Sequence, residues 1–119
     1  MKLLSKEILE KLPPLYSQEQ VKDPLVVCKF FDPTGSWTWY AYEGSPVDES
    51  GYFDTDREKV DFLFFGLVIG HVPEFGYFSL KELETAKEGL QGLRALPIER
   101  DLWFTPCRLS EIKNKHGIK

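Results

Sequence analysis

The sequence predicts an α+β fold: an antiparallel sheet of four to five strands with two to three short helices in a single domain. Three observations carry this prediction. Leu25–Phe31 (LVVCKFF) and Phe62–Ile69 (FLFFGLVI) are apolar runs rich in Val and Phe, of strand length rather than helix length. Ser36–Gly44 (SWTWYAYEG), between them, is dense in aromatics and Thr, which suit a pleated surface. Helical spacing of apolar residues occurs near the start, after residue 79 and at the end. No crossover helix follows each strand, which excludes a doubly wound sheet. At 119 residues the chain has the length of one domain, 1–119, and can bury a core without disulfides or metal.

Ser5 is placed to cap a helix whose apolar face is Ile8, Leu9 and Leu12, and Pro13-Pro14 stops it. Tyr16–Asp23 reads as a polar connector. Leu25–Phe31 is then the first strand, and Asp32–Ser36 has the Pro, Gly and Asp chemistry of a turn. That turn joins it to the aromatic strand as an antiparallel hairpin. Alternation puts Trp37, Trp39, Ala41 and Glu43 on one face and Thr38, Tyr40 and Tyr42 on the other.

Gly44–Thr55 reads as a loop pinned by Tyr52 and Phe53, and the charged Asp56–Asp61 continues it or opens the next strand. Within Phe62–Ile69, Gly66 marks a bulge or a close backbone approach. Gly70–Gly76 is predicted as a turn, with Tyr77 and Phe78 as a short strand. Ser79 and Glu82 form a capping box for a helix with Leu80, Leu83, Ala86 and Leu90 on its face and Gly89 and Gly92 at its end. Ile98–Phe104 is predicted as the final strand, and Leu109–Lys115, capped by Ser110, as a short helix that frays.

The balance of 42% hydrophobic and 29% charged residues is that of a soluble protein. No apolar run approaches the roughly 18 residues of a membrane helix. The N-terminal stretch is interrupted by Lys6, Glu7, Glu10 and Lys11, unlike a signal peptide. A cytoplasmic location and no membrane partner are expected. Cys28 reads as a small core residue and Cys107, after Pro106 in a polar stretch, as an exposed one, without the spacing of a disulfide framework or a metal knuckle. His71 at a turn and His116 in the tail read as structural.

The net charge of −4 is unevenly spread. Glu43, Asp48, Glu49, Asp54, Asp56, Glu58 and Asp61 crowd one stretch against only Arg57 and Lys59. Arg108, Lys113, Lys115 and Lys119 make a basic tail. A protein gripping phosphates needs a broader basic surface, so nucleic acid is not the favoured partner.

Gly-rich phosphate loops, Walker patterns, HExxH and nucleophile elbows are all missing from the sequence. Accordingly no catalytic residue, cofactor or metal is assigned. Asp54 and Asp56 offer oxygens at alternate positions, as Ca²⁺ or Mg²⁺ requires, but the full spaced loop with its bidentate Glu is missing. The same carboxylates can meet a basic partner. In Pro97–Asp101, Glu99 and Asp101 share a face if extended, with Arg100 opposite, as a charged edge strand, a buried Arg–carboxylate network or a pair of acids for catalysis.

The segments Leu12-Pro-Pro-Leu-Tyr16, Val27–Phe31 with its hairpin into Trp37-Thr-Trp-Tyr40, Glu43-Gly44, Phe64-Phe-Gly-Leu-Val68, Gly76-Tyr-Phe-Ser-Leu-Lys-Glu-Leu-Glu84 and Leu96-Pro-Ile-Glu-Arg-Asp-Leu-Trp-Phe104 run in order through nearly the whole chain. They resemble a bacterial domain-of-unknown-function family of small proteins frequent on plasmids, phages and integrative elements. Some relatives look like inhibitors of Cas9-type (type II) CRISPR defence. The resemblance implies a non-enzymatic anti-defence protein of a mobile element whose partner is a protein or nucleoprotein, Cas9 or its guide-RNA complex. It brings no catalytic residues with it.

Aromatic anchors ringed by charge are a recipe for such an interface. The expected partner-binding residues are therefore Trp37, Trp39, Tyr40, Glu43, Asp54, Asp56 and Glu58, with the Glu43 end of the strand favoured over its indoles. Two other readings stay open. One is a metal-dependent hydrolase or nuclease using Glu43, Glu99 and Asp101. The other is a single-stranded nucleic-acid binder that stacks bases on the aromatic strand, aided by Arg108, Lys113 and Lys115.

Overall fold

The computed structural model describes residues 2–33, 35–90 and 97–119. Along the chain run α1 (Lys6–Lys11), β1 (Leu25–Val26), β2 (Cys28–Phe31), β3 (Thr38–Val47), β4 (Asp61–Ile69), β5 (Pro73–Ser79), α2 (Leu80–Leu90), β6 (Glu99–Arg100), β7 (Cys107–Arg108) and α3 (Leu109–Lys115). Five strands form an antiparallel sheet in the order β5-β4-β3-β2-β6, and β1 pairs with β7 in a separate two-stranded ladder. This is the α+β architecture that the sequence predicts. No helix among the described residues is long and apolar enough to cross a membrane.

The helix starts follow local chemistry. The Ser5 hydroxyl accepts from the Ile8 N–H at 3.2 Å, and the Ser79 hydroxyl accepts from the Glu82 N–H at 3.1 Å. Leu12 already has extended backbone, as the residue before a proline prefers. Ala86, Gly89 and Leu90 lie in α2, but their side chains are outside the described part, and Gly92 lies outside the described residues.

Several strand boundaries differ from the sequence reading. The run Leu25–Phe31 breaks at Val27, because Val27 and Cys28 both join the core beneath Phe30 while Val26 joins the opposite one. The break releases β1 to pair with β7 (Val26 opposite Cys107). The expected loop from Gly44 instead extends β3 to Val47, since β4 supplies a partner for each residue out to Asp61. The turn before β5 is shorter than predicted: β5 begins at Pro73, where a missing N–H is tolerated at the first residue of an edge strand.

The last strand is β7, and the strand predicted over Ile98–Phe104 is only Glu99–Arg100, paired with Phe31 and Phe30. It stops because the Asp101 carboxylate accepts from the Trp103 N–H at 2.9 Å and folds the chain into a turn that leaves Trp103 93% exposed. The terminal helix is docked rather than frayed: Leu109 and Ile112 are buried, and Arg108 is its N-cap. Ser110 turns away and donates its hydroxyl to Asp23 at 2.7 Å.

One irregularity decides the layout of the sheet. The β3–β4 register passes from Ala41 opposite Gly66 to Glu43 opposite Phe65, so Tyr42 is an extra, bulged residue. Cross-strand partners point to the same face. The bulge therefore moves Glu43 off the Trp39 face, where simple alternation placed it, and onto the face of Tyr40, Tyr42 and Phe65. Gly66 sits opposite the bulge; a Cβ there would collide with the Tyr40 carbonyl oxygen and come 2.8 Å from its carbon. The close approach inferred from Gly66 is present, while the bulge itself is on the neighbouring strand.

The two faces build two cores. Trp39, Ala41, Phe30, Phe64, Phe78, Leu83 and Ile98 pack on one side, with Ile8 and Leu80 against them. Tyr40, Tyr42, Val26, Leu67, Leu109 and Ile112 pack on the other. Cys28 is a core residue as expected; burial, tempered by nearby Arg100, pushes its thiol up to about 12.

Candidate functional site

Past Ala41, β3 loses β2 as its neighbour, since β2 begins at Cys28 opposite Ala41. The connector after α1 takes over that edge. The Gly44 N–H donates to the Pro13 carbonyl at 2.9 Å, and the Ser45 hydroxyl accepts from the Leu15 N–H at 3.0 Å. The two oxygens of Glu43, a residue only 3% exposed, accept from the Tyr16 N–H at 2.9 Å and the Gln18 N–H at 2.8 Å. These charge-assisted bonds make Glu43 a clamp on the connector. They hold Tyr16 at φ 70°, a left-handed conformation that costs a non-glycine residue about 1–3 kcal/mol and persists only where the surroundings impose it.

The clamp aims the Tyr16 ring into a line of aromatics. Tyr16 lies 5.8 Å from Phe53 and 6.3 Å from Tyr77, between ring centroids. Tyr77 meets Phe65 edge-on at 4.8 Å, and Phe65 meets Tyr42 at 5.7 Å with the planes 85° apart. Between this line, the connector and Leu109 of α3 lies a groove of about 280 Å³. Tyr42, Glu43 and Phe65 form its base, and Tyr16, Phe75 and Tyr77 its walls, these last three about half exposed. The Tyr77 phenol is pushed up to about 12 by burial first, then by the hydrogen bond and charge of Tyr16, and then by the negative fields of Glu43 and Glu19.

The acidic stretch from Asp48 onward adjoins one end of that line at Phe53. Its organiser is Asp48, only 2% exposed. Its carboxylate accepts from the N–H groups of Ser50 and Tyr52, from Thr55 Oγ1 at 2.6 Å and from Arg57 Nε at 2.9 Å. The Thr55 hydroxyl is the largest cause holding the Asp48 carboxyl below its ordinary value. Lys59 turns its ammonium onto the carbonyls of Thr55 and Arg57. Asp54, Asp56 and Glu58 are left exposed at the surface of a loop with a defined shape.

The sequence-predicted site residues thus divide. Asp54, Asp56 and Glu58 lie together on the exposed loop. Glu43 reaches the base of the groove, but as a structural clamp. Trp39 and Tyr40 are 6% and 1% exposed, so neither offers a partner any surface. Burial on both sides of the sheet is the reason, and for Tyr40 the 2.8 Å hydrogen bond between its hydroxyl and His116 Nε2 adds to it. Trp37 is half-buried, tilted by 31° against Trp39 at 6.0 Å and edge-on to His71 at 5.7 Å, and its indole lies over Gly70. Trp39, Tyr40 and Tyr42 are thus buried, and Trp37 is the ring of this stretch that keeps partial exposure.

The carboxylates of the hydrolase reading are not gathered either. β2 separates β3 from β6, about 10 Å across the sheet. Asp101 is held by Lys29 at 3.3 Å, and its neighbour Arg100 donates to the Leu3 carbonyl at 3.2 Å. Among the described residues no group of three or more His, Cys, Asp or Glu is arranged to hold a metal ion.

Sequence reasoning missed Tyr16, Phe53, Phe65, Phe75 and Tyr77. Phe75 and Tyr77 two apart were a legible strand face, hidden by reading Gly70–Gly76 as a turn. Nothing in the sequence marks the left-handed Tyr16.

Fold and groove together define a small α+β domain with an open aromatic groove beside an acidic loop. The chain belongs to the family described as protein of unknown function (DUF2958), whose model matches residues 3–114. No curated protein and no solved structure matches the chain at a significant level.

Proposed function

We propose that the chain is a non-enzymatic binding protein that engages a protein or nucleoprotein partner through the aromatic groove and the adjoining acidic loop. The observation that carries this reading is continuity. Half-exposed Tyr16, Phe75 and Tyr77 join, through Phe53, a loop whose Asp54, Asp56 and Glu58 face solvent. Half-exposed rings supply anchoring area, and exposed carboxylates supply steering and selection for a basic surface. The particular form we favour is an anti-defence protein of a mobile element, acting in the cytoplasm on Cas9 or its guide-RNA complex. The sequence resemblance supports that form.

The test is capture of a Cas9–guide RNA complex by the tagged chain, beside the same experiment with an Asp54→Lys, Asp56→Lys double variant. Wild type is expected to retain the complex, and the variant to lose it with an unchanged circular dichroism spectrum. Equal capture by both removes the electrostatic part of the reading. No capture by wild type removes Cas9 as the partner.

A further inference from the structure

The groove has a chemistry more specific than apolarity. Its rings are not stacked: Tyr16 and Tyr77 are inclined at 64°, Tyr77 and Phe65 at 60°, and Phe65 and Tyr42 at 85°. Rings inclined in this way present faces in several directions, and each face carries the negative part of the ring quadrupole. The base holds the Glu43 carboxylate, and Glu19 joins it in raising the Tyr77 phenol, so the negative field reaches the wall of the groove. Lys22, the cation on the lining, is exposed, and an exposed ammonium keeps its charged head in solvent.

Aromatic faces with a carboxylate at the base disfavour anions. They also lack the cage of oxygens that a small, strongly hydrated metal ion needs. What they fit is a large, weakly hydrated cation with apolar atoms around its charge. We infer that the groove between Tyr16, Phe75 and Tyr77 is a binding site for an organic cation, a guanidinium or quaternary ammonium group, with Glu43 as its countercharge. This deepens the partner-binding reading and rests on it only for the source of the cation, a side chain of the partner rather than a free small molecule.

The experiment is a titration of the intact, aromatic-labelled chain followed by the ring resonances of Phe75 and Tyr77. Choline is compared with its neutral carbon isostere, dimethylbutanol, and N-acetylarginine amide with N-acetylcitrulline amide. Each cation is expected to bind roughly tenfold or more tightly than its neutral counterpart, a difference within the range of a desolvated cation–π contact. Tyr77→Ala is expected to remove most of that preference, and Tyr77→Phe to keep it. Since Tyr77 is half exposed, both variants are expected to keep the wild-type amide fingerprint; Phe75→Ala provides an independent check.

Tighter binding of the arginine derivative assigns the site to a partner's side chain, and tighter binding of choline to a free ammonium compound. Cations that bind no better than their isosteres, or binding unchanged in both alanine variants, overturn the inference. If that happens while the Asp54→Lys, Asp56→Lys variant still loses its partner, the groove assignment alone falls. If the cations bind but charge reversal leaves capture intact, the electrostatic partner reading falls and the groove stands.

Discussion

On one side of β3, Trp39 and Ala41 look onto Phe30, Phe64 and Phe78; on the other, Tyr40 and Tyr42 look onto Val26, Leu67 and α3. The first side is packed with interlocking rings. Phe64 stacks on Phe78 at 5.2 Å and tilts against Phe30 at 5.3 Å, with Ile8, Leu80 and Leu83 over them. The second side carries phenols, and a buried phenol needs a polar partner. Tyr40 finds one in His116, which draws the C-terminal segment onto this face. The cover assembled there from the β1–β7 ladder, α3 and the connector is made of short pieces; it meets β5 through Tyr16 and Tyr77 and leaves the groove between them and Leu109. The difference lies in the cover: phenylalanine rings interlock on the first side, whereas the phenols of the second meet short, irregular pieces of chain that frame the groove.

The contrast is broken most severely at Phe64, which is fully buried. Phe64→Ala is expected to destabilise the fold by about 3–5 kcal/mol in urea unfolding, the transfer and cavity cost of a buried ring. Phe75→Ala, on the open side, is expected to stay within about 0.5 kcal/mol of wild type. Comparable losses at the two positions would mean that the second side is closed in solution.

Glu43→Gln tests the clamp that shapes the opening. A carboxamide has one acceptor oxygen to offer two N–H donors, and its amide group opposes the second. A loss of about 2 kcal/mol is expected, in the range of a hydrogen bond to a charged group. Loss of amide-exchange protection at Tyr16 and Gln18 should accompany it, with the Trp39 side unaffected.

The smallest effect belongs to the acidic loop and depends on pH. The folded-state value of Asp48 is depressed, so its stabilisation is present above the ordinary carboxyl value of 3.8 and is lost as pH falls below it. Asp48→Asn is expected to flatten the dependence of the urea midpoint between about pH 6 and about pH 3. A midpoint that falls as steeply in the variant assigns the acid sensitivity to another carboxyl.

Much of the fold was legible because it rests on local or periodic signals. Ser5 and Ser79 announce their helices, Pro13 ends one, and the runs around Phe30 and Phe64 declare buried strands. The hairpin into β3 needed only the turn chemistry of Asp32–Ser36 and the aromatic alternation beyond it. The errors cluster where one residue departs from a period. The bulge at Tyr42 reverses the side of every later residue in β3, and no residue type announces it. Asp101 bends the chain at what read as a strand by accepting one backbone N–H.

The candidate site was less legible for the same reason. Asp54, Asp56 and Glu58 could be singled out because exposure follows from charge and loop composition. The groove could not, because its members come from the connector, β3, β4, β5 and α3. Composition, caps and alternation depend on neighbours along the chain, and they were enough to specify an α+β sheet with aromatic strands and an acidic segment. The bulge register, the buried bond from Glu43 to the backbone of Tyr16, and the meeting of Tyr16 with Tyr77 depend on residues distant in sequence. Packing alone decides which of those distant groups meet.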